Sequence, residues 1–251
     1  MDFLKYYNTV SGVEERLNIV NHRYDETLKH IKQEALHFDV GVGEGYFLVR
    51  YIEKLSETFF VGLDISFSKL EKAKNLIPNS DFITGSANNL PIRKKALNIS
   101  TSLETLEHLT DFKKGLEELV SKSEYIIVTV PYKERITSAY CETCGEYSFA
   151  SGHLKSFSER DFKELNYVTE LFRITEPLDR IDFLKRLVKK LSNKTQIKIP
   201  NQESPKMDLT MNCLHCAEEI PYEHDLIRDM IRLKDVIFNK PSHLLIKIDN
   251  S

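Results

Sequence analysis

Hydrophobic and polar positions follow two rhythms along this chain, and the rhythm changes near residue 131. From residue 3 to 33, apolar positions recur at helical spacing through VEERLNIVNHRYDETLKHI, with no Gly or Pro after Gly12, which predicts a helical segment. Short apolar runs then alternate with helical patterns. ALHFDVGVG leads into a glycine cluster, YFLVRYIEKL (46–55) is helical, and TFFVGLDIS (58–66) is a strand rich in aromatics and Val. Serines at its end cap a helix over 66–77. SDFITGSA (80–87), ALNISTSL (96–103) and EYIIVTVP (124–131) are further strands, and ETLEHLTDFKKGLEELV is helical between the last two. Strands and helices alternating at short intervals from about 35 to 131 predict an α/β fold with a parallel sheet and helices on both faces.

After Pro131 the alternation breaks down. SFSERDFKEL reads as a capped helix, YVTELFRIT as a strand, 175–240 as irregular, charged and helix-like, and HLLIKID (243–249) as a last strand. The chain divides accordingly into a core with N-terminal helices over 1–135, an insertion region with a late helix and strand over 136–240, and a final core strand over 241–251.

Composition narrows the function without naming it. With 251 residues, 41% hydrophobic and 29% charged, the chain has ordinary globular composition and length enough to bury a core. A net charge of −3 sets up no general field for nucleic acid. One basic stretch, 180–198, carries seven Lys/Arg against one Asp and reads first as a solvated helix face, then as a phosphate-binding patch. No apolar run reaches the roughly 18–20 residues that span a bilayer, and the first ten residues lack a signal-peptide pattern, so a cytoplasmic location is expected.

Three of the nine glycines stand at 41, 43 and 45. The spacing G-x-G-x-G departs from the dinucleotide fingerprint, and the absence of G-K-[ST] excludes a P-loop. Asp64 ends the second strand nineteen residues after Gly45, where a carboxylate accepts from ribose hydroxyls. Asp39 precedes the first glycine, where an acid orients the loop and favours an ammonium group.

The succession FDVGVGEGYF, VGLDIS, FITGSANNLPI, ISTSLETLEHL and YIIVTVPY, in order over roughly 35–132, resembles the class I S-adenosylmethionine-dependent methyltransferases. GHLKSFSERDF and HLLIKID are similar to that family's later helix and last strand. The resemblance implies a Rossmann-like seven-stranded sheet and S-adenosylmethionine as cofactor. It sets Gly41 and Gly43 against the methionine part, Asp64 on the ribose, and Ile65 against the adenine with Ser86 and Ala87 at its edge; Asp39 and Gly45 belong to the same cofactor-binding set. Ser102, in the fourth strand, joins the cofactor-binding set. Two positions depart from the family pattern: Ser86 and Asn98 stand where acids are common.

The four cysteines form two C-x-x-C pairs, CETC (141–144), followed by Gly145, and CLHC (213–216), followed by Ala217. Together they supply the ligands of a closed, structural tetrahedral zinc site joining two insertions; a redox pair or buried free thiols are the alternatives. CLHCA lacks the glycine that commonly lets a knuckle turn.

Glu104, Glu107 and His108, at i, i+3 and i+4, share one face if ETLEHL is helical. With His153 they form a candidate divalent-cation site, with magnesium considered, or a source of a general base for an acceptor hydroxyl; bracing the loop is the plainer role. Some small-molecule and RNA-terminal 2′-O-methyltransferases resemble this, with E-x-x-E-H and a later His holding magnesium. Tyr6, Tyr7 and Tyr132 are candidates to line an acceptor pocket or to pack in the core. The expected activity is methyl transfer to a small molecule or sugar, at oxygen. No N/D-P-P-Y motif of DNA amino-methyltransferases follows strand four, so DNA is not expected. RNA is a weaker acceptor candidate, and a non-catalytic cofactor- or partner-binding protein is the alternative from another class.

Overall fold

The computed structural model describes residues 17–54, 58–136, 138–175, 209–222 and 241–250. Helix α1 (Leu17–Leu28) precedes an alternating run: β1 (Leu36–Val40), α2 (Tyr46–Lys54), β2 (Phe59–Asp64), α3 (Phe67–Leu76), β3 (Asp81–Thr84), β4 (Leu97–Leu103), α4 (Phe112–Lys122) and β5 (Ser123–Pro131). Then come β6 (Ser138–Cys141), β7 (Glu146–Phe149), α5 (Arg160–Lys163), β8 (Glu170–Ile174), β9 (Leu209–Asn212), β10 (Glu219–Tyr222) and β11 (His243–Asp249).

Seven strands make one Rossmann-like sheet in the order β3-β2-β1-β4-β5-β11-β8. β1 to β5 run parallel, and β11 lies antiparallel between β5 and β8. Strand order reverses between β1 and β4, which makes the carboxyl ends of these two strands the natural ligand crevice.

The near-continuous apolar run of β5 follows from burial on both faces. Ile126, Val128 and Val130 of β5 pack with Leu116 and Leu119 of α4. Tyr125 and Ile127, one step out of phase, pack with Ile99 and Leu245 on the opposite face. α2 contributes Phe47, Leu48 and Tyr51 to a third cluster with Phe60 and Leu70.

Ser66 caps α3 as expected, its Oγ accepting from the Lys69 N–H at 3.4 Å. Two helices differ from expectation. The segment predicted helical from Glu104 is broken: Glu104 is left-handed at φ 52°, and only a single 3-10 turn, Leu106–His108, precedes Asp111. Asp111 is the true cap, accepting from the Lys114 N–H at 3.1 Å, so α4 starts at Phe112. SFSERDFKEL contracts to the four residues of α5, whose N-cap position, Glu159, makes no side-chain capping bond; Asp161 Oδ2 instead accepts from the Ser158 N–H and Oγ at 2.8 and 2.9 Å. The irregular region holds two unforeseen hairpins, β6–β7 and β9–β10, each built of four-residue strands around a C-x-x-C pair. Tyr6, Tyr7 and the basic stretch 180–198 lie outside the described residues.

Candidate active site and metal centres

The three glycines do three different jobs. All have positive φ: 80°, 56° and 85° at Gly41, Gly43 and Gly45. A Cβ on Gly41 would stand 2.0 Å from Thr105 Oγ1, so its bareness lets the loop after β4 pack against the turn after β1. A Cβ on Gly45 would touch Ala73 and Ile77 of α3 at 3.3 Å. At Gly43 it would meet nothing within 4 Å. That position faces open space, called the Gly43 notch below, and the Gly43 N–H donates to Asp64 Oδ2 at 2.9 Å. Asp64 Oδ1 accepts from the Ser66 N–H at 2.8 Å, so two backbone donors fix the carboxylate at the end of β2. A carboxylate so held keeps lone pairs for further donors.

Asp39 is buried, and its Oδ1 accepts from Thr101 Oγ1 at 2.6 Å. His37 Nε2 lies 2.8 Å from the same hydroxyl. Because Thr101 gives its proton to the carboxylate, His37 is the donor to Thr101. Burial, with the Asp64 charge adding, pushes Asp39 up to about 7. An arriving ammonium group favours the charged form. The affinity of an ammonium-bearing ligand here therefore rises with pH from 5.5 to 7, where the carboxyl ionises, by at most about tenfold per unit. Calorimetry of S-adenosylhomocysteine binding across that range checks this, with proton release below pH 7; flat affinity contradicts it.

The adenine-side candidates lie on the same rim. Ile65 and Ser86 follow β2 and β3, and Ser86 Oγ accepts locally from the Asn88 N–H at 3.2 Å. Ala87 is buried in the main core. Ser102 is fully buried in β4, and its Oγ has no partner among the described residues.

The acceptor-side candidates separate into two groups. Glu104 bonds to Arg23 Nη1 at 3.2 Å and His243 Nε2 at 3.1 Å, and it accepts from Thr129 Oγ1 at 3.1 Å. Burial raises its carboxyl, but Arg23 and His243 outweigh burial and hold it below the usual range. Glu104 thus fastens α1 and β11 to the turn after β4. It does not converge with Glu107, because the backbone inverts at Glu104 where a helix was expected.

Glu107, His108 and His153 do converge, with their ligating atoms within 4.8 Å of one another. Glu107 is fully buried and neither of its oxygens has a hydrogen-bond partner among the described residues. Burial and the neighbouring Glu104 charge push its carboxyl well up. His108 Nδ1 donates to the Gly152 carbonyl at 3.0 Å, and burial lowers the imidazole to about 4. His153 Nδ1 donates to Glu134 Oε2 at 2.5 Å, and its Nε2 stands 4.0 Å from Glu107 Oε1. The Leu154 N–H donates to the Glu107 carbonyl at 2.7 Å, closing the two segments on each other.

Glu134 and Gly152 were not visible as site residues in the sequence. They stand at the two feet of the β6–β7 hairpin, brought together by tertiary structure alone. His37 and Thr101 were missed for the same reason. Tyr132, half-buried on β5's far end, has the Arg173 guanidinium over its ring at 5.6 Å.

At the other end of that hairpin the four cysteines gather. Cys141 and Cys216 sulfurs are 3.7 Å apart, and Cys144 and Cys213 are 3.6 Å apart. Four thiolates at about 2.3 Å from one zinc ion lie about 3.8 Å from each other, so the set fits a tetrahedral site. Each knuckle closes with a backbone bond, Gly145 N–H to Cys141 O at 2.9 Å and Ala217 N–H to Cys213 O at 2.8 Å. Ala217 takes the turn at φ 62° without the glycine's freedom.

The sheet order, the glycine turn and the carboxylate closing β2 define a class I methyltransferase fold. Residues 38–122 match the family model of the methyltransferase domain. Solved structures agree in fold. Geranyl diphosphate C-methyltransferase from Streptomyces coelicolor A3(2), in complex with Mg2+, geranyl diphosphate and S-adenosyl-L-homocysteine, superposes with a TM-score of 0.61 at 10% identity, over 99% of this chain and 97% of that one. A chain of the Haloferax volcanii complex between the Trm112 methyltransferase activator and its methyltransferase gives 0.58 at 16% identity, over 94% and 91%. No curated protein matches the sequence. Among the described residues, no helix is long and apolar enough to cross a membrane.

Proposed function

We propose that the protein transfers the methyl group of S-adenosylmethionine to an oxygen of a small molecule or sugar. The observation that supports this most is the Glu107–His108–His153 cluster, a buried carboxylate with no hydrogen-bond partner among the described residues beside two anchored imidazoles. Thr105 of that turn packs against Gly41 of the cofactor loop, so both belong to the crevice at the strand-order reversal.

In this function the Gly43 notch receives the methionine part, Asp39 meets its ammonium group, and Asp64 accepts from the ribose hydroxyls. A hydroxyl acceptor attacks the methyl carbon in line. The C–S bond breaks as the O–C bond forms, and its electron pair stays on sulfur. The hydroxyl must also lose a proton, which carbon or sulfonium chemistry alone does not remove; the cluster is where that proton is drawn off. The four cysteines hold a structural zinc ion, which ties together the two hairpins, and the feet of the β6–β7 hairpin bring Glu134 and Gly152 to the cluster.

Transfer of labelled methyl from S-adenosylmethionine into a panel of small hydroxylated acceptors tests the activity. Glu107→Gln, nearly isosteric, cuts transfer by about 10²- to 10⁴-fold, the usual weight of general acid–base assistance, and leaves cofactor affinity within about twofold. Transfer unaffected by this change contradicts the role given to the cluster.

A further inference from the structure

We infer that His37 is a positioning residue of the cofactor site: acting through Thr101, it fixes Oδ1 of Asp39 and leaves Oδ2 for the ligand's ammonium group, so that this chain of three side chains selects ligands carrying that group. The inference rests on the cofactor placement proposed above and extends it to two buried residues behind Asp39.

Three observations carry it. The first is the number of protons. Asp39 of β1 stands opposite Thr101 of β4, and His37 lies two residues earlier on the same face. Thr101 Oγ1 has one proton and two polar neighbours, Asp39 Oδ1 at 2.6 Å and His37 Nε2 at 2.8 Å. If both neighbours were acceptors, one contact would set lone pair against lone pair. With Asp39 ionised, one direction is consistent: His37 Nε2–H donates to Thr101, and Thr101 donates to Asp39.

The second is the other ring nitrogen. Nδ1 of His37 is buried with no partner among the described residues. Phe47, Tyr51 and Phe60 box the ring, with centroids 6.4, 5.0 and 5.7 Å away. Burial there lowers the imidazole to about 3, so at neutral pH it holds a single ring proton. On Nδ1 that proton would be a buried, unbonded donor, and Thr101 would lose its own donor; on Nε2 it leaves only a lone pair in the box. Apolar packing alone calls for a fourth phenyl ring here, and the imidazole adds the Nε2–H.

The third is the open end of the chain. Asp39 Oδ2 takes no hydrogen bond among the described residues, while Oδ1 is engaged by Thr101. Asp64 faces Asp39 from β2, and Tyr24 faces it from α1, its phenol pushed up to about 12 chiefly by burial and so neutral. Neither supplies a positive charge; the ligand's ammonium group does. Donors to a carboxylate favour its charged form, and a polarised chain strengthens the last bond. Removing a donor therefore moves the Asp39 carboxyl further up from about 7. Ammonium binds the ionised form, so affinity falls most at lower pH and recovers as pH rises.

The test is calorimetry on the intact protein with two probes. S-adenosylhomocysteine carries the ammonium group; 5′-methylthioadenosine keeps the nucleoside and sulfur but lacks the amino-acid part. At pH 6.5, Thr101→Val weakens S-adenosylhomocysteine binding by about 10- to 100-fold, the weight of a hydrogen bond to a charged group. His37→Phe, ring for ring, weakens it by about three- to tenfold, because Thr101 remains but is no longer held in one direction. Thr101→Ser, which keeps the hydroxyl, recovers most of the affinity. Both losses shrink at pH 8, and methylthioadenosine binds every variant within about twofold of the parent. Two-bond proton–nitrogen correlation spectra of the parent place the His37 ring proton on Nε2, a measurement that stands even where a variant fails to fold. Equal losses for both probes, or losses that do not change with pH, mean that these residues only pack, and overturn the inference. Unchanged S-adenosylhomocysteine affinity in both variants, or a His37 proton on Nδ1, overturns it as well. A parent protein that binds neither probe removes instead the cofactor placement on which it rests.

Discussion

Gly43→Ala lowers the affinity for S-adenosylhomocysteine by about 10- to 100-fold, while the melting temperature falls by only about 2–4 °C. The separation follows from what a methyl group would meet. In the protein itself a Cβ at Gly43 finds open space within 4 Å, so the fold pays only for a left-handed alanine at φ 56°. The ligand's methionine part needs that same space. Gly41→Ala is the control with the opposite balance. Its Cβ would lie 2.0 Å from Thr105 Oγ1, which is itself within 3.3 Å of the Val40 carbonyl and 3.2 Å of the Leu103 carbonyl and has little room to retreat. That variant loses on the order of 3 kcal/mol and about 10 °C in melting temperature. Calorimetry beside thermal melting reads both. Equal stability losses with unchanged affinity would mean that the notch is not the cofactor's.

Removing the zinc proposed for the cysteine site, by chelation or by Cys213→Ser, abolishes protection of the two hairpins while the seven-stranded sheet stays folded. Binding and folding of a metal-tied segment are one event, because the ligands are brought together only in the folded form. The expected effect reaches the active site. The β6–β7 hairpin enters from Glu134 and leaves through Gly152 and His153, so loosening Cys141 and Cys144 frees the carboxylate behind His153 and the carbonyl behind His108 together. Loss of such supporting contacts weakens a site by about 10- to 100-fold each, and methyl transfer falls at least that far. Asp39 and Asp64 are held by Thr101 and by the Gly43 and Ser66 N–H groups, none of them on a hairpin, so cofactor affinity persists. Hydrogen exchange, with cofactor titration on the same sample, checks the pattern. Intact hairpin protection without zinc, at unchanged activity, contradicts it.

The sheet was legible because its information is local. Each parallel strand is a short apolar run and each helix a periodic stretch, and the Gly41–Gly45 turn and Asp64 sit at fixed places in that alternation. The cysteine set was legible because ligand type and pairing carry the chemistry whatever lies between. Three similar glycines, however, could not be assigned their separate duties, since Thr105 and Ala73 reach them only through tertiary packing. ETLEHL has helical spacing, yet the pull of Arg23 and His243 on Glu104 and the better cap at Asp111 turn it into one 3-10 turn. The spacing that grouped Glu104 with Glu107 therefore grouped two residues with different work. Glu134 had no motif to mark it, because its partner His153 lies nineteen residues away across a hairpin.

A crystal structure with S-adenosylhomocysteine bound tests most directly whether cofactor and cluster form one active site. The expected result is the homocysteine part in the Gly43 notch, the ribose hydroxyls on Asp64, and the open side of the sulfur directed at the space beside Glu107, His108 and His153. A ligand elsewhere on the sheet, or a sulfur separated from that cluster by packed side chains, contradicts it.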